Sequence, residues 1–290
     1  MNSLLKRPQM IVGLSIALLF AIVALFGRFF MPNDPLATNV LNTLAPMSTQ
    51  YPLGTDDLGR CVLSRLIAGC GTTLSVALMI EFSVFLIGFV IGMLAGYLGK
   101  FVDTVIVGMI DVLLAFPSII LALVIAGVMG AGLVNLMIAM ILVYWVEYAR
   151  VTRSVVIQLK EKKFVTAAKA VGGTPLSIIR RHILPNALPH LVAYLALNMA
   201  YIIIGISSMS FIGLGAEPST PEWGSILSDS RAYMNTNPQM LIGALVCIAL
   251  SVSCFQMIGE AMRDSLNPRH VHLPRSVRRK LAHKKGGRDA

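Results

Sequence analysis

Residues 164–173 read FVTAAKAVGG and residues 180–186 read RRHILPN, within a polar and basic segment that separates two apolar runs. Four small or apolar side chains recur there at helical spacing: Phe164, Ala167, Ala168 and Val171. This spacing predicts a short helix with one apolar face. An apolar face on a helix in a polar segment is typical of a surface that docks a partner.

The residues after this helix predict its end and the start of another. Gly172 stands where a helix terminus favours a left-handed residue, and Thr174-Pro175 has the order of an N-cap followed by a first helical position. We expect Pro185 and Pro189 to end the second helix, because proline lacks the backbone N–H that a helix interior needs.

The composition places the chain in a membrane. Of its 290 residues 56% are hydrophobic and only 13% are charged, which excludes a soluble globular domain. Six apolar runs approach the roughly 20 residues that cross a bilayer, the fourth by borrowing flanking residues: 10–26, 74–98, 102–128, 133–148, 191–211 and 240–262. The first is long and lacks a small-residue cleavage site, so we expect a retained span rather than a signal peptide.

The basic residues predict the orientation. With a cytoplasmic N-terminus, the inner segments are residues 1–9, the turn near Lys100, segment 150–187 and the residues after 262. They hold all 24 Lys and Arg residues except Arg28, Arg60, Arg65 and Arg231. The positive-inside rule therefore predicts that both termini are cytoplasmic. Topology and contact with anionic lipid explain the net charge of +10, and nothing indicates a nucleic-acid partner.

The predicted organisation has three parts. Residues 1–72 form a first membrane helix with an outer segment, residues 73–265 form the membrane core with its inner loop 150–187, and residues 266–290 form a basic cytoplasmic tail, of which 275–288 is predicted to be disordered. In the outer segment, Thr55 is expected to cap a helix from Asp56 through Ile67. A second outer segment, 213–238, is too rich in proline and glutamate for a membrane helix and is expected to be a re-entrant or interfacial loop.

Motifs of catalysis and of nucleotide binding are missing from the sequence. It has no GxxxxGK[ST], HExxH, CxxC or GxSxG, so we expect no enzymatic activity, no cofactor and no P-loop in this chain. His270 and His272 are expected to be solvated tail residues, with weak metal binding as the alternative, and no metal site is predicted. A disulfide between Cys61 and Cys70 is left open, because it requires the chain between them to bend.

Acidic side chains inside apolar runs are candidates for function. Glu81 lies in the second run, about two turns from its outer end, and Asp111 lies in the third, where Pro117 is expected to kink the helix. Glu147 lies near the inner end of the fourth. Glu81 and Asp111 either line a polar translocation path or make hydrogen bonds to neighbouring helices; for Asp111 and Glu147 the structural role is the preferred interpretation.

The segment 164–186 resembles the EAA loop of ABC-importer permeases. Ala167, Ala168, Gly172 and Leu184-Pro185 match its pattern, whereas Thr166 replaces the glutamate and His182 replaces the usual isoleucine, as is typical of the peptide/nickel branch. Other segments are similar to the same branch: LGTD at 53–56, LGR at 58–60, DVLLAFP at 111–117, SFIGLG at 210–215, PEWG at 221–224, RD at 263–264 and NP at 267–268. Cys61 and Cys70-Gly71 depart from it on the outer side.

The resemblance implies an all-α, six-helix transmembrane domain of an ABC type I importer in a prokaryotic cytoplasmic membrane. It implies a homologous second permease as heterodimer partner, two cytoplasmic ATPase subunits that carry ATP and Mg, and an extracytoplasmic binding protein. The residues expected to couple to the ATPases are Phe164, Thr166, Ala167, Ala168, Lys169, Val171, Gly172, Gly173, Leu184 and Pro185. Four others are expected to face the binding protein: Asp56, Arg60, Glu222 and Trp223.

The expected substrate is a small peptide, with nickel or a metal chelate as the alternative, since both branches share these motifs. Two other classes of protein compete with an ABC permease. An ATP-independent carrier or channel predicts repeat symmetry and a self-contained intramembrane site, and neither is evident. A membrane enzyme predicts a convergent nucleophile or metal set, which the sequence lacks.

Overall fold

The computed structural model describes residues 7–217 and 219–266, and this part of the chain is helical without strands. Three single 3₁₀ turns (Gly27–Phe29, Val40–Asn42 and Arg231–Tyr233) and one π-helical segment (Ile179–Ile183) accompany ten α-helices. The α-helices are α1 Pro8–Phe26, α2 Val62–Leu98, α3 Lys100–Leu114, α4 Ser118–Met129, α5 Leu133–Lys160, α6 Lys163–Ala170, α7 Pro175–Ile178, α8 Leu184–Phe211, α9 Trp223–Ser230 and α10 Pro238–Leu266. The predicted tail, with His270, His272 and the NP pair at 267–268, lies outside the described residues.

Five of the six predicted crossings are confirmed as single helices, and the third corresponds to a bent pair of helices. Helices α1, α2, α5, α8 and α10 are each long and apolar enough to cross a membrane. Helices α3 and α4 pass the same test only as a pair, bent by 79° at residues 115–117. The break follows from Pro117, whose ring disfavours helical geometry in the preceding residue. The fourth apolar run, 133–148, is extended by flanking residues as expected, since it forms the first part of the 28-residue helix α5.

The two ends of the helix bundle carry different polar contacts. Arg7, before α1, pairs with Asp264 at the end of α10 at 3.3 Å, so both ends of the described chain lie together. At the opposite end the outer segment packs on the bundle, where the Asn237 amide donates to the Leu44 carbonyl at 3.2 Å. We call the end with Arg7 and Lys160 the inner end and the other the outer end, following the predicted orientation.

Helices α2 and α5 make the closest packing in the bundle. Gly88, Gly92 and Gly96 lie one turn apart on α2 and face the backbone of α5. A Cβ added at Gly96 would lie 2.9 Å from the Arg153 carbonyl oxygen, and one at Gly92 would lie 2.8 Å from the Thr152 Cβ. Small residues at this spacing let two membrane helices approach closely, so dispersion contacts hold them together without a hydrophobic driving force. This pair is the frame on which the other helices pack.

The helix predicted from Asp56 to Ile67 is wrong in its first half, since α2 begins only at Val62. The Asp56 carboxylate accepts from the backbone N–H groups of Leu58 and Arg60, which closes a tight turn in place of a helix. Gly59 completes that turn with a φ of +73°, which other residues adopt only under strain. The predicted boundary between the first two parts of the chain, at residue 72, falls inside α2.

The two prolines expected to end the second inner helix do not end it. Helix α7 continues through the π-helical Ile179–Ile183 directly into α8. Pro185 occupies the first turn of α8, where no N–H is required, and Pro189 lies inside the same helix. The inner loop and the fifth crossing therefore form a nearly continuous helical element, so displacement of the loop can be transmitted along α8.

Candidate functional site

The inner loop presents the short helix that the sequence predicts, as α6 over Lys163–Ala170. Its apolar residues divide into two sets. Val165 is fully buried and Ala168 is partly buried against Ile178 and Ile183, whereas Phe164, Ala167 and Val171 are exposed. Ala168 therefore lies on the buried side of α6. The prediction that it shares one apolar face with Phe164, Ala167 and Val171 is wrong for this residue. The buried set attaches the helix to the bundle, and the exposed set leaves an apolar surface in water.

The exposed apolar set extends beyond α6. Val171 is 86% exposed and Leu176, at the start of α7, is 74% exposed. Thr166 and Lys169 are also exposed on α6, and the Thr166 hydroxyl donates only a long bond, 3.5 Å, to the Lys162 carbonyl oxygen. We define the coupling surface as Phe164, Ala167, Val171 and Leu176.

The end of α6 is fixed by backbone hydrogen bonds as predicted. Gly172 has a φ of +82°, and its N–H donates to the Lys169 carbonyl at 3.0 Å. The Gly173 N–H donates to the Ala168 carbonyl at 3.0 Å, which completes the paired bonds of a Schellman terminus. Thr174 then caps α7 by accepting from the Ser177 N–H, also as predicted. This turn sets the angle between α6 and α7.

The inner loop is anchored to the long helices through one small core. Val165, Ile178 and Ile183 pack there with Met93 of α2 and Val156 of α5. The Phe164 ring also lies 6.2 Å from the His182 ring in the π-helical segment. Leu184 and Pro185 begin α8 immediately beyond it. Packed side chains therefore join α6 to α2 and α5, and the π-helical segment joins it to α8 through the backbone.

A cavity of about 990 Å³ opens on the surface of the bundle between α4, α5, α8 and the end of α10. Its polar lining includes Ser118, Tyr144, Glu147, Tyr194, Asn198 and Tyr201. Tyr201 is 61% exposed, so the cavity is open on the side of α8. The lining also includes His190, Arg263 and Asp264, and a concave space of this size with convergent polar groups is a common form of small-ligand site.

Glu81 lies behind the wall of this cavity and does not line it. Its side chain is 1% exposed, and its helix begins at Val62, so it lies nearer the middle of α2 than the sequence suggests. Its carboxylate accepts from the Tyr148 hydroxyl and, at 3.0 Å, from the Asn198 amide. Glu81 therefore joins α2, α5 and α8, and it orients Asn198, which does line the cavity.

Asp111 does not reach the cavity either. It is exposed on α3, a helix whose buried residue Ile110 packs on Val146 and Ala149. The acidic group of α3 that does have a partner is Asp103, which forms a two-bond pair with Arg153 of α5. Neither of the two acids expected to line a translocation path lines this cavity.

Glu147 lines the cavity, although the sequence favoured a structural role for it, and the other acid of the lining, Asp264, is paired with Arg7. The sequence also placed it near the inner end of its crossing, whereas α5 extends to Lys160 and puts it near the helix centre. Its carboxylate accepts from the Ser118 hydroxyl at 3.4 Å and from the Tyr194 hydroxyl at 3.3 Å. Tyr194 and Asn198 had no signal of their own in the sequence beyond being polar residues one turn apart in an apolar run.

Four charged side chains form a network at the outer end. Arg60 and Arg65 both pair with the fully buried Asp56, the first at 2.7 Å, and Arg65 also pairs with Asp229 of α9 at 3.4 Å. Burial raises the pKa of Asp229, against the opposing attraction of Arg65. The network holds the outer segment onto α2 and α9.

Glu222 and Trp223 are likewise interior groups. Glu222 caps α9 by accepting from the N–H groups of Gly224 and Ser225, and burial raises the pKa of its carboxyl against these bonds. The Trp223 indole donates to the Leu66 carbonyl at 3.0 Å. All four residues expected to face a binding protein, Asp56, Arg60, Glu222 and Trp223, are buried. They offer no contact surface in this conformation, because they fasten the outer segments to the bundle.

The cysteines of the described chain are all free. Cys61 and Cys70 are both buried, and the Cys70 thiol lies 3.6 Å from the Phe20 carbonyl oxygen, so the disulfide left open by the sequence is not formed. No cluster of three or more His, Cys, Asp or Glu side chains suited to a metal ion occurs among residues 7–217 and 219–266.

Comparison with known proteins gives consistent matches. Residues 88–271 match the family described as binding-protein-dependent transport system inner membrane component. The chain is 37% identical to the dipeptide transport system permease protein DppC of Alkalihalophilus pseudofirmus, over 92% of this chain and 88% of that protein. It is 34% identical to the nickel transport system permease protein NikC of Escherichia coli, over 92% and 96%. It is also 34% identical to the glutathione transport system permease protein GsiD of Pectobacterium atrosepticum, over 89% and 85%.

A solved structure shares the fold. The chain superposes on a chain of the MetNI methionine ABC transporter in an inward-facing conformation, with a TM-score of 0.58 and 22% sequence identity. The match covers 70% of this chain and 96% of the other. The resemblance expected from the motifs is confirmed at the level of the fold.

Proposed function

The chain belongs to the family of inner membrane components of binding-protein-dependent transport systems, and on this premise we propose how it couples ATP hydrolysis to import. It is a multi-pass permease subunit of an ABC importer for peptides, nickel or a similar solute. The proposal is that the coupling surface docks in a groove of an ATPase subunit, and that a second, homologous permease completes the translocation path.

The exposed coupling surface is the observation that supports docking. Phe164, Ala167, Val171 and Leu176 are exposed at the inner end, in the polar segment between two crossings. Exposed apolar area of this kind is costly in water and favours association. The small Ala167 permits close approach of a partner helix or groove. Lys169, on the same helix, would orient a partner more than it would strengthen its binding.

The connection from α6 to the cavity supports the mechanical part of the proposal. ATP-driven approach of two ATPases would displace α6, and the core of Val165, Ile178 and Ile183 would carry that displacement into α8. Tyr194 and Asn198 of α8 line the cavity, so its shape would change with the position of the loop. Coupling requires that the loop makes different contacts in the two states, which the ATPase partner would supply.

ATP and Mg are expected on the ATPase partners, and an extracytoplasmic binding protein is expected to deliver the solute. The relatives named for dipeptide, nickel and glutathione transport set the range of substrates. Transport of short peptides is the proposal, with nickel or a metal chelate as the alternative.

Gly172→Val tests the coupling role. A β-branched residue at a φ of +82° costs about 1–2 kcal/mol or more in backbone strain, and relief of that strain would change the angle between α6 and α7. We expect the variant to insert normally but to lose ATP-driven uptake and the stimulation of ATP hydrolysis by a loaded binding protein. Both are measured in membrane vesicles that contain the complete transporter.

Two control variants make this result specific. Gly213→Val imposes the same kind of strain at a φ of +96°, where Gly213 ends α8 at the outer end with the same paired backbone bonds, and an added Cβ meets nothing within 4 Å there, as at Gly172. It should retain coupling. Gly172→Asn should also retain it, because asparagine tolerates the left-handed region. Normal stimulation of ATP hydrolysis in Gly172→Val would contradict the coupling role.

A further inference from the structure

One carboxylate in the wall of the 990 Å³ cavity has spare hydrogen-bonding capacity. Glu147 is half-buried near the middle of α5 and accepts two bonds, of 3.4 and 3.3 Å, from Ser118 and Tyr194. Both are longer than a typical O–H···O bond, and an ionised carboxylate has about four acceptor positions. Glu147 takes part in none of the ion pairs seen within residues 7–217 and 219–266.

A lone carboxylate in a membrane-crossing helix is costly unless a cation or several donors compensate its charge. The two side chains bonded to Glu147, Ser118 and Tyr194, are neutral, and Asp264, the other acid of the lining, is paired with Arg7. Arg150, on the same helix, is exposed and acts on Tyr194 through its charge. Tyr144, Tyr194 and Tyr201 line the same cavity, and the only Lys or Arg among its lining residues in the described chain is Arg263, in the last turn of α10. Glu147 is therefore a negative site with aromatic walls, open toward the exposed Tyr201.

This chemistry suits an ammonium group. An ammonium has three N–H donors, which a carboxylate and tyrosine hydroxyls accept, and its charge is attracted to the faces of aromatic rings. A divalent metal ion instead takes several carboxylate, imidazole or thiolate ligands at once. One carboxylate with tyrosines is thus a better match for an organic cation than for a bare metal ion.

We propose that Glu147 binds the ammonium group of the solute, such as the N-terminus of a short peptide, during its passage through the cavity. The inference rests on the proposed function, because it requires this cavity to be part of the translocation path. It goes further by giving the permease itself a preference for substrates that carry a positive charge.

The hydrogen-bond network behind the cavity would keep the site in position. Tyr194 donates to Glu147, and its ring packs edge-on against Tyr148 with centroids 4.9 Å apart. Tyr148 in turn donates to the buried Glu81, which also holds Asn198. Glu81 does not reach the cavity. It acts as a positioning residue, because it binds Asn198 directly and Tyr148, which packs against Tyr194.

Binding of two tripeptides to the assembled transporter tests the proposal. The chain is purified with its partner permease and ATPases in lipid nanodiscs, without binding protein, and the probes are trialanine and N-acetyl-trialanine. Acetylation removes the ammonium charge, so the wild type should bind trialanine about tenfold or more tightly than the acetylated form. In Glu147→Gln this preference should vanish, and Glu147→Asp should restore part of it.

Glu260→Gln is the matched control. Glu260 is an exposed acid of α10 that does not line this cavity, so its replacement should leave the preference for trialanine unchanged. Equal binding of the two tripeptides by the wild type, or no binding of either, would overturn the ammonium site. Displacement of trialanine by an equal concentration of Ni²⁺ would overturn it in favour of a metal site.

Two further measurements separate this inference from other roles. Loss of the second permease from both Glu147 variants would assign the carboxylate to the subunit interface and would overturn the proposal. Stimulation of ATP hydrolysis by a loaded binding protein is measured on the same samples. If ATP hydrolysis is stimulated but the wild type does not distinguish the tripeptides, the ammonium site is wrong and the proposed function stands. If no ATPase accompanies the chain, both the ammonium site and the proposed function are wrong.

Discussion

At the scale of single residues, the buried polar contacts of Glu81 explain why a charged side chain is kept inside the bundle. Its two oxygen atoms have partners on two other helices, Tyr148 and Asn198. A buried carboxylate that accepts hydrogen bonds from both sides costs much less than an isolated one. Glu81 therefore serves to fix three helices, whereas the neighbouring Glu147, which lines the cavity, is open to a ligand.

Glu81→Gln should separate these roles. The amide group of glutamine would place one N–H donor against the hydroxyl or amide that now donates to Glu81, at a cost of about 1–3 kcal/mol. We expect a lower thermal unfolding temperature in detergent, with the preference for trialanine reduced but not abolished, because Glu81 positions the site and does not contact the solute. A changed preference at unaltered stability would mean that Glu81 contacts the solute.

Arg65 is a buried charged residue that joins separate segments at the outer end, as Glu81 does within the bundle. Its side chain is 1% exposed and pairs with Asp56 and Asp229. Removal of one partner from a buried pair leaves the other charge uncompensated and costs about 3–5 kcal/mol. Arg65→Met should therefore loosen the outer segment, which limited proteolysis between residues 30 and 61 would detect. Unchanged protection of that segment would show that the network does not hold it in place.

At the scale of helices, the approach of α2 to α5 depends on three glycines. At Gly92 the Cβ of any other residue would meet Thr152 and the Ala149 backbone, neither of which can turn aside as a flexible side chain could. Gly92→Val should cost about 1–3 kcal/mol or more, as overpacking does, and should lower the yield of folded protein after extraction.

Gly108→Val in α3 is the control for this effect. It places the same β-branched residue in a membrane helix, but an added Cβ meets nothing within 4 Å there. Its yield should stay close to that of the wild type. If both variants lose yield to the same extent, helix propensity and not close packing accounts for the loss.

Much of this architecture could be predicted from the sequence because the bilayer imposes strict rules on length and polarity. The six crossings follow from apolar runs, the break near Pro117 from proline chemistry, and the end of α6 from Gly172. The four-residue spacing of Gly88, Gly92 and Gly96 likewise indicates close helix packing from the sequence alone. These features depend on short stretches of sequence or on one regular spacing of residues along a helix.

The errors concern features that depend on distant contacts. Asp56 was expected in a helix because local signals favour a cap there, yet its carboxylate is fixed by Arg60 and by Arg65 nine residues away. Its burial, and that of Glu222, follows from packing of the outer segments on the bundle, which no local pattern encodes. Likewise Glu147 and Asn198 meet in one cavity only because α5 and α8 pack together.

At the scale of the whole molecule, the chain is a multi-pass permease subunit of an ABC importer whose sequence contains no P-loop. An apolar coupling surface lies at the inner end, a cavity with one available carboxylate lies in the bundle, and a locked outer segment lies at the other end. The continuous element from α7 through the π-helical segment into α8 joins the first two. We expect this element to change position when the partner ATPases close.

Photo-crosslinking from position 167 tests docking of the coupling surface most directly. A photoreactive amino acid replaces Ala167, which is exposed on α6, in membranes that contain the complete transporter, and the same amino acid replaces Val128, 85% exposed near the outer end of α4, as a control. Position 167 should crosslink to an ATPase subunit, with a yield that changes when ATP is added, and position 128 should not. Absence of any ATPase crosslink from position 167, in membranes where ATP-driven uptake is intact, would contradict docking through this helix.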